Sequence, residues 1–437
     1  MPGDRPRRVA FLSYSSVLFD ARTFRMAAWA LEQGLEVTVY GRWEPGLPKV
    51  EQRDGYTIIR APWTWWPLSR KRRDLGPEAG PSGERSDPPL RRRAGTPFRT
   101  VIGWARLVSK YPIRPIAWAR ALERVAEPAD IWHGMWAGSL PALDRLRGRH
   151  GGRTIYDSRD VYMESRNLAT APRPIRAVLS RLERRWARHA DRVITVNRPY
   201  AHLLAARFGI SEPAIVMNCP PAWTPPVPPP DHIRRALGLG SETSIILYQG
   251  QLISERGIEQ AMDAILDVPG AVLVLLGYGD WEARLRAAAA APPYAGRVFI
   301  LPAVRPEELV AWTASADVMV MPIQPTTLNH RYTTPQKLFE AIAAGVPVVA
   351  SDLPGMAAIV TEIGAGALCD PTNPASIAKA IRRTLAVDPE ARAATRARIL
   401  AAAHDRYSWE SQVGALETLY RDLLPAAPPP TARLPRQ

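Results

Sequence analysis

The 437-residue chain contains only two cysteines, Cys219 and Cys369, and it has neither a CxxC pair nor a Cys/His cluster. A disulfide framework and a cysteine-based zinc site are therefore excluded. Long apolar runs are also missing, since stretches such as Ala271–Leu276 are far too short to span a bilayer. The first residues, MPGDRPRRVAFLSY, lack the pattern of a signal peptide. These absences predict a soluble, cytoplasmic protein.

Several nucleotide- and metal-binding motifs are missing as well. There is no GxxxxGK[ST] phosphate loop, and the first predicted strand is followed by SYSSVLFDAR where an NAD-binding domain has GxGxxG. Neither GxSxG nor HExxH occurs. No Asp-x-Asp pair is present to hold Mg²⁺ or Mn²⁺ on a nucleotide diphosphate. We therefore expect any phosphate to be bound by backbone amides and basic side chains, without a metal or another cofactor.

The charge is distributed unevenly along the chain. Residues 1–240 carry 40 basic and 22 acidic side chains, a net charge of +18, whereas residues 241–380 carry 8 and 14, a net charge of −6. The first half therefore predicts a positive surface for an acidic-lipid membrane, a phosphorylated acceptor or a nucleic acid. A coding bias toward arginine explains the excess equally well. A nucleic-acid partner is disfavoured because the chain has no recognition helix and no aromatic–basic strand motif.

Short apolar strands alternate with helical patterns in both halves. In the first half the predicted strands are Arg8–Tyr14, Glu36–Arg42, Tyr56–Ala61, Asp130–His133, Thr154–Asp157, Arg192–Val196 and Ala214–Asn218. In the second half they are Ser244–Gln249, Ala271–Leu276, Val298–Leu301, Val318–Pro322, Pro347–Ser351 and Gly366–Cys369. Apolar strands separated by helices are typical of parallel sheets that are covered on both faces. The pattern predicts two doubly wound α/β domains.

A proline-rich segment marks the boundary between the two halves. Seven of the eleven residues of Pro220–Pro230 are proline, which suits an extended, semi-rigid linker. Residues 70–99 carry nine basic and four acidic side chains without apolar periodicity, which predicts a mobile insertion. The expected organisation is a first domain (1–219), a linker (220–240), a second domain (241–405), a terminal helix (406–424) and a disordered tail (425–437).

Two segments of the second half combine glycine turns with charged residues. The first, YQGQLISERG, predicts a strand, a glycine turn and a helix headed by Arg256, which together suit a diphosphate. The second, TTPQKLFEAIAAG, predicts a helix capped by Thr334, with Lys337 and Glu340 on one face. A carboxylate at that position can accept both hydroxyls of a ribose. An arginine at a solvated helix start and a surface ion pair are the simpler alternatives.

These segments resemble the donor-binding domain of the GT-B fold, in particular that of retaining glycosyltransferase family 4. The resemblance rests on the strand pattern YxGxLxxxRG, the turn Gly277-Tyr-Gly279 and the run PxKLFExxAAGxPVVASDLPG. In the first half it extends to Asp20–Arg22, Asp130–His133, Tyr156–Glu164, Ala190–Val196 and Asn218–Pro220. At the end, Tyr407–Trp409 leads into a helix that resembles the family's terminal helix, which implies that residues 406–424 cross back to the first domain. The resemblance covers nearly the whole chain except residues 70–99 and the tail.

The resemblance implies roles for particular residues of the second half. Glu340 corresponds to the family's ribose-binding glutamate, and Arg256 to the basic residue that contacts the donor diphosphate and stabilises the leaving group. The other implied donor contacts are Gly250, Gln251 and Lys337 for the nucleotide and diphosphate, and Tyr332, Thr333 and Thr334 for the sugar. Gln251 stands where the family usually has a second basic residue, and Tyr332 where it has the first glutamate of Glu-x7-Glu.

The resemblance also points to residues of the first half. His133 ends a strand where relatives place a histidine near the sugar, so it is either a catalytic contact or a structural residue. Met135 occupies the position of a further histidine. The implied acceptor-side residues are Asp20, Arg22 and Arg159. The tryptophans at 63, 65 and 66, beside the basic residues 70–73, suit a membrane-interface anchor, an acceptor-stacking wall or core packing.

The resemblance implies a metal-independent glycosyltransferase that acts with retention of anomeric configuration. Its expected donor is a nucleotide-diphosphate sugar, with UDP favoured, and its acceptor a sugar, a lipid-linked molecule or a small molecule. Peripheral contact with an anionic membrane is a further expectation. One alternative is a nucleotide-sugar epimerase or phosphorylase of the GT-B type. The other is a non-catalytic GT-B binding module, motivated by Gln251, Tyr332 and Met135.

Overall fold

The computed structural model describes residues 6–18, 20–63 and 108–424. The predicted insertion at 70–99, the basic residues 70–73, the tryptophans at 65 and 66 and the predicted tail at 425–437 lie outside these ranges. Within them, no helix has the length and apolar character needed to cross a membrane.

The first sheet contains eight strands in the order β3-β4-β2-β1-β5-β6-β7-β8. They are β1 (Arg8–Ser13), β2 (Glu36–Arg42), β3 (Val50–Arg53), β4 (Tyr56–Ala61), β5 (Ile131–Met135), β6 (Arg153–Ser158), β7 (Arg192–Thr195) and β8 (Ala214–Ile215). All neighbours pair in parallel except β3, which runs antiparallel to β4 at the sheet edge. The carboxyl ends of the parallel strands therefore lie at one edge of the sheet.

The second sheet has six strands in the order β11-β10-β9-β12-β13-β14, all of them parallel. They are β9 (Ser244–Gln251), β10 (Ala271–Tyr278), β11 (Val298–Leu301), β12 (Val318–Met321), β13 (Val348–Ser351) and β14 (Gly366–Cys369). The order reverses between β9 and β12, and ligands of open α/β sheets bind beside the carboxyl ends of the strands at such a point.

Helices connect the strands and cover both faces of each sheet. Those of the first part are α1 (Ala21–Glu32), α2 (Arg114–Leu122), α3 (Leu140–His150), α4 (Arg166–Ala169), α5 (Arg173–His189) and α6 (Arg198–Phe208). Those of the second part are α7 (His232–Leu237), α8 (Ile258–Leu266), α9 (Glu282–Ala289), α10 (Leu309–Thr313), α11 (Leu328–Arg331), α12 (Gln336–Ala344), α13 (Pro354–Ile363), α14 (Pro374–Leu385), α15 (Pro389–Arg406) and α16 (Trp409–Leu423).

The last helix packs on the first sheet, although the chain reaches it through the second domain. The apolar face of α16 joins the core that contains Val9, Phe11 and Trp29, and it contributes Leu416 and Tyr420. The Trp409 backbone amide also donates to the Pro220 carbonyl at 2.8 Å. Helix α16 is thus bound to the first domain and to the start of the proline-rich segment.

The architecture confirms the predicted α/β class with two doubly wound domains. Each predicted strand overlaps an observed one because strands buried on both faces give continuous apolar runs. Val50–Arg53 was not predicted because its sequence, VEQR, is polar and the strand lies at the edge of the sheet. At the opposite edge, only Ala214–Ile215 of the longer predicted strand forms a ladder.

Candidate active site

The carboxyl end of β9 forms one wall of the candidate donor site. Gly250 has a φ of +120°, a backbone conformation that side chains rarely adopt. A Cβ atom at this position would lie 3.6 Å from the Lys337 Nζ. The glycine therefore brings the backbone of the strand end next to the ammonium group of Lys337.

The start of α8 forms a second wall. Gly257 precedes the helix with a φ of +71°, and a Cβ atom there would lie 1.9 Å from the Pro322 carbonyl oxygen. Only glycine fits, because any side chain would collide with the backbone that follows β12. Arg256 is half-buried beside this helix start. A guanidinium next to the N-terminus of a helix is an arrangement that suits an anion.

Lys337 lies in the first turn of α12, and its ammonium group is next to Gly250 at the end of β9. The residue is half-buried, but its Nζ is shielded from solvent and has no hydrogen-bond partner within the described ranges. The Nζ lies 4.0 Å from the centre of the Tyr248 ring. Burial and the charge of Arg256 lower the pKa of Lys337 to about 7, although Glu340 acts in the opposite direction. The ammonium group of Lys337 is thus shielded from solvent beside Gly250 and in the field of Arg256.

Glu340 lies one turn further along α12, with its carboxylate buried. Its Oε1 accepts a hydrogen bond from Gln336 Nε2 at 2.9 Å, and its Oε2 accepts one from Gln249 Nε2. Gln249 is held in turn because its Oε1 accepts a hydrogen bond from the Thr313 hydroxyl at 2.7 Å. Burial raises the pKa of Glu340, and its hydrogen bonds partly offset that effect. The carboxylate is thus fixed in position, with the Lys337 charge nearby.

The loop between α11 and α12 contacts the first domain. Asn197 Nδ2 donates to the Tyr332 carbonyl at 2.9 Å and to the Thr334 hydroxyl at 3.0 Å. Asn329 Nδ2 donates to Asp160 Oδ1 at 3.0 Å, and the Tyr200 hydroxyl donates to the Asn329 carbonyl at 2.8 Å. The segment predicted to contact the donor sugar is therefore positioned by polar side chains of both domains.

A second connection between the domains runs toward Glu340. Arg25 Nη2 on α1 donates to Asn218 Oδ1 at 2.5 Å, and Asn218 Nδ2 donates to Gln336 Oε1 at 3.2 Å. Gln336 then donates to Glu340. Burial and the charge of Arg22 lower the pKa of Arg25 to about 10. The chain of hydrogen bonds couples the first helix of the first domain to the carboxylate of the second.

Asp20 and Arg159 come together at the carboxyl edge of the first sheet. Asp20 is the N-cap of α1, and its Oδ2 accepts hydrogen bonds from the hydroxyls of Thr23, at 2.6 Å, and Ser13, at 2.9 Å. Arg159 Nη1 donates to Asp20 Oδ1 at 2.9 Å. Burial alone would raise the pKa of Asp20, but Arg159 and the hydroxyl donors outweigh it and lower that pKa. Arg159 keeps about a quarter of its side chain exposed, so it can also meet a ligand.

Arg22 and His133 lie in the core, which differs from the predicted ligand contacts. Arg22 donates from Nε to Asp157 Oδ2 at 2.6 Å and from Nη2 to Oδ1 at 3.3 Å, with both side chains almost fully buried. His133 is fully buried, and its Nδ1 shares a hydrogen bond of 2.7 Å with the Tyr420 hydroxyl of α16. Burial lowers the pKa of His133 to about 4. Both side chains are therefore buried within the first domain, and their roles as ligand contacts stay predictions.

The remaining predicted residues lie around the loop and the strand end. Gln251 is half-buried, and its carbonyl accepts a hydrogen bond from the Tyr248 hydroxyl at 2.9 Å. Tyr332 packs against an apolar cluster of the first domain, and the Thr333 side chain interacts with the Tyr200 hydroxyl. The predicted helix cap at Thr334 is wrong: Pro335 is the N-cap of α12, because the Thr334 hydroxyl is held by Asn197 instead.

The described ranges contain no group of three or more His, Cys, Asp or Glu side chains arranged to hold a metal ion. The polar groups that do converge on the donor side are two cations, one carboxylate and the start of a helix. They can bind a diphosphate and a pair of vicinal hydroxyls.

Sequence reasoning missed Arg25, Asn197, Gln249 and Gln336. Their partners are distant in the chain: Gln249 and Glu340 are 91 residues apart, and Arg25 and Asn218 are 193 apart. The one available signal was position, since Gln249 stands at the end of a buried strand next to the glycine turn.

The second domain is similar in sequence to known glycosyl transferases. Residues 230–399 match the family model of glycosyl transferases group 1. The D-inositol 3-phosphate glycosyltransferase of Acidothermus cellulolyticus is 28% identical over 325 residues, which cover 69% of this chain and 69% of the relative.

Solved structures of similar fold extend over both domains. Sucrose-phosphate synthase from Thermosynechococcus elongatus has a TM-score of 0.71 and 19% identity, covering 95% of this chain and 99% of the other. The Anabaena protein HepE in complex with UDP-glucose has a TM-score of 0.62 and 15% identity, with coverage of 95% and 99%. The second domain thus matches the group 1 glycosyl transferase model, and the two doubly wound domains have the GT-B fold.

Proposed function

We propose that the protein is a glycosyltransferase that takes its sugar from a nucleotide-diphosphate sugar, retains the anomeric configuration and needs no metal ion. The observation that carries the proposal is Lys337, whose shielded ammonium group has no hydrogen-bond partner within the described ranges. It lies beside Gly250 and in the field of Arg256. A buried cation of this kind is costly unless an anion binds to it. A diphosphate supplies that anion.

The donor would be bound in two parts. Arg256, Lys337 and the start of α8 face the diphosphate, whose negative charge increases as the glycosidic bond breaks. Glu340 would accept hydrogen bonds from the ribose hydroxyls, since both of its oxygens are already fixed by glutamine amides. These groups are in place before the reaction, so they stabilise the leaving group without having to reorganise.

Retention follows from the resemblance to family 4 and requires attack on the face that the leaving group departs from. The acceptor hydroxyl forms a bond to the anomeric carbon while the bond from that carbon to the diphosphate oxygen breaks. The acceptor proton passes to a phosphate oxygen of the leaving group. The hydrogen bonds between the domains at Asn197, Tyr200 and Asn329 would help to exclude water from this reaction.

UDP is the proposed nucleotide, and the acceptor is proposed to be a sugar, a lipid-linked molecule or a small molecule. The HepE structure contains UDP-glucose, and the Acidothermus relative is described as acting on D-inositol 3-phosphate. The arrangement at Gly250, Arg256 and Glu340 suits any nucleoside diphosphate, so the base is best found by experiment.

Thermal stabilisation by a panel of nucleotide sugars without added metal tests the donor site. One donor should raise the melting temperature of the wild type, because a ligand at about 100 times its Kd stabilises by about 2.7 kcal/mol. Glu340→Ala should weaken that donor by about tenfold or more, because two buried glutamine amides and the ribose lose their acceptor. Glu242→Ala, which changes an exposed glutamate of the same domain, is the control.

The donor proposal would be overturned if no nucleotide-diphosphate sugar stabilised the wild type. Equal stabilisation of the wild type and Glu340→Ala would leave a nucleotide-sugar protein without the proposed ribose contact. An epimerase would be indicated by conversion of the donor sugar in the absence of any acceptor.

We also propose that the first domain contacts an anionic membrane surface through α5. The exposed side of this helix is dense in arginine, namely Arg173, Arg181, Arg184, Arg185 and Arg188. Its other side packs into the domain through Leu179 and Ala187. A helix with one apolar side and one basic side is attracted to acidic lipid headgroups.

Vesicle sedimentation tests the membrane surface on the helix. The protein should bind phosphatidylglycerol vesicles and not phosphatidylcholine vesicles. Replacing Arg181 and Arg185 together by glutamine should lower binding by about 30-fold, since each basic residue near such a surface contributes about 1 kcal/mol. The control replaces Arg284 and Arg305, which are exposed in the second domain. Equal binding by the two double variants would contradict the assignment of α5.

A further inference from the structure

A small cavity lies at the carboxyl ends of β5 and β6, on the face of the first sheet opposite α1. Its volume is about 40 Å³, which is room for a few non-hydrogen atoms. Its walls are formed by the turns that follow the two strands, by Tyr111 and by one side of α5. Ligands of open α/β sheets bind beyond the carboxyl ends of the strands, so its position is that of a ligand site.

Most of the wall is apolar or aromatic, and two polar groups interrupt it. Leu179, Leu182 and Trp186 line the cavity from α5. Glu183 lies between these residues on α5, and its side chain is only 5% exposed. Tyr162 lines the cavity from the turn that follows β6. The Tyr162 hydroxyl and both carboxylate oxygens of Glu183 accept or donate no hydrogen bond within the described ranges.

The nearest cation does not satisfy Glu183. Arg207 Nε lies 3.6 Å from Glu183 Oε2, too far for a hydrogen bond. The other nitrogens of Arg207 donate to Glu164 and to the Ser180 hydroxyl, both at 3.0 Å. Burial raises the pKa of Glu183 to about 7. A buried carboxylate with two vacant acceptors is costly unless a hydrogen-bond donor reaches it.

The cavity is also connected to the reaction site through the chain. Tyr162 follows Val161, whose amide donates to Asn329 Oδ1 of the second domain at 2.9 Å. Tyr332, at the predicted sugar position, packs against Val161 in the same apolar cluster. The wall of the cavity, at Tyr162, and the contact between the domains, at Val161, are thus formed by consecutive residues.

We propose that this cavity binds a side arm of the acceptor, an apolar arm that ends in a hydroxyl or an ammonium group donating to Glu183. The inference rests on the proposed glycosyltransferase function and specifies its acceptor. The walls remove the arm from water, and the carboxylate and the Tyr162 hydroxyl fix its polar end. A carboxylate or phosphate at the end of the arm is rejected, because it would face the oxygens of Glu183.

Three probes of one shape test the inference: n-butylamine, n-butanol and butyrate. Ligand-detected NMR titrations of the full chain should show binding of the amine or the alcohol and none of butyrate. Glu183→Gln should lower the affinity for the amine by about tenfold or more, because a charge-assisted hydrogen bond is lost. The same substitution should lower the affinity for the alcohol less, so the two probes distinguish an ammonium from a hydroxyl. Tyr162→Phe should weaken the same probe by a few fold.

The controls separate this inference from the donor proposal. Glu32→Gln changes an exposed glutamate on α1, across the sheet from the cavity, and should bind each probe like the wild type. Binding of UDP is measured in the same samples: Glu183→Gln should retain it, which also shows that the variant is folded. The inference is overturned if no probe binds, if butyrate binds as well as the others, or if both Glu183→Gln and Tyr162→Phe leave every affinity unchanged. If the wild type bound a probe but did not bind UDP, only the donor proposal would be contradicted.

Discussion

Lys337→Met is expected to reduce sugar transfer by about 10²- to 10³-fold, the usual effect of removing one group that stabilises a developing negative charge. The same substitution should make the protein more stable at pH 7. A methionine side chain has a similar length and no charge, so it removes a shielded ammonium group that has no hydrogen-bond partner within the described ranges. Activity and stability should therefore change in opposite directions, which is the signature of a site strained for binding.

The sign of the stability change follows from the pKa of Lys337. It is lowered from 10.5 to about 7 on folding, so the unfolded chain binds more protons between these values. The folded state is therefore most favoured above pH 10.5 and loses that advantage as the pH falls toward 7. Since one pKa unit corresponds to about 1.4 kcal/mol and the pKa falls from 10.5 to about 7, Lys337→Met should gain up to about 5 kcal/mol at neutral pH. Denaturant unfolding of the wild type and the variant at several pH values measures this.

Donor binding should depend on pH through the same group. The ammonium form binds the diphosphate, so the affinity of the wild type should be constant below about pH 7 and fall as the pH rises above it. The Lys337→Met variant should bind the donor weakly at every pH. Lys379→Met, at an exposed lysine of α14, is the matched control and should resemble the wild type. A variant that loses activity and stability together would show that Lys337 is a structural residue.

The sequence was a good guide to the fold because its signals are local. Parallel strands buried on both faces produce runs such as Ser244–Gln251 and Ala271–Tyr278, and glycine or proline marks the turns between them. The polar edge strand Val50–Arg53 has no such run. The packing of α16 on the first sheet was predicted only through the resemblance, because the sequence of an amphipathic helix does not indicate which sheet the helix will pack against.

The candidate site divides in the same way. Arg256, Lys337 and Glu340 lie within glycine-bounded segments whose spacing indicates a helix start, so they were found from sequence. Asn197 and Arg25 act through partners in the other half of the chain, and a lone asparagine or arginine carries no local signal. The sequence also does not show how deeply a side chain is buried. Arg22 and His133 follow family-like patterns, yet both are buried in the core.

Arg22→Met is expected to lower the free energy of unfolding by about 3–5 kcal/mol, because it leaves the Asp157 carboxylate buried without its cation. Asp157→Asn should cost a similar amount by leaving the guanidinium unpaired. The double variant Arg22→Met with Asp157→Leu should lose less than the sum of the two, since neither charge is then left alone. Arg153→Met breaks an exposed pair with Asp191 in the same domain and should cost less than about 1 kcal/mol.

The position of this pair explains why it belongs to the function even though no ligand touches it. Arg22 lies in the first turn of α1, two residues after the Asp20 cap, and Asp157 lies at the carboxyl end of β6, two residues before Arg159. The buried pair therefore holds together the two segments that carry Asp20 and the partly exposed Arg159, which form the predicted acceptor-side edge. If instead Arg22→Met kept full stability and raised only the KM for acceptor, Arg22 would be a direct acceptor contact, as the family resemblance implies. Equilibrium unfolding and acceptor kinetics measured on the same preparations decide between these roles, because a buried structural pair cannot be broken without a loss of stability.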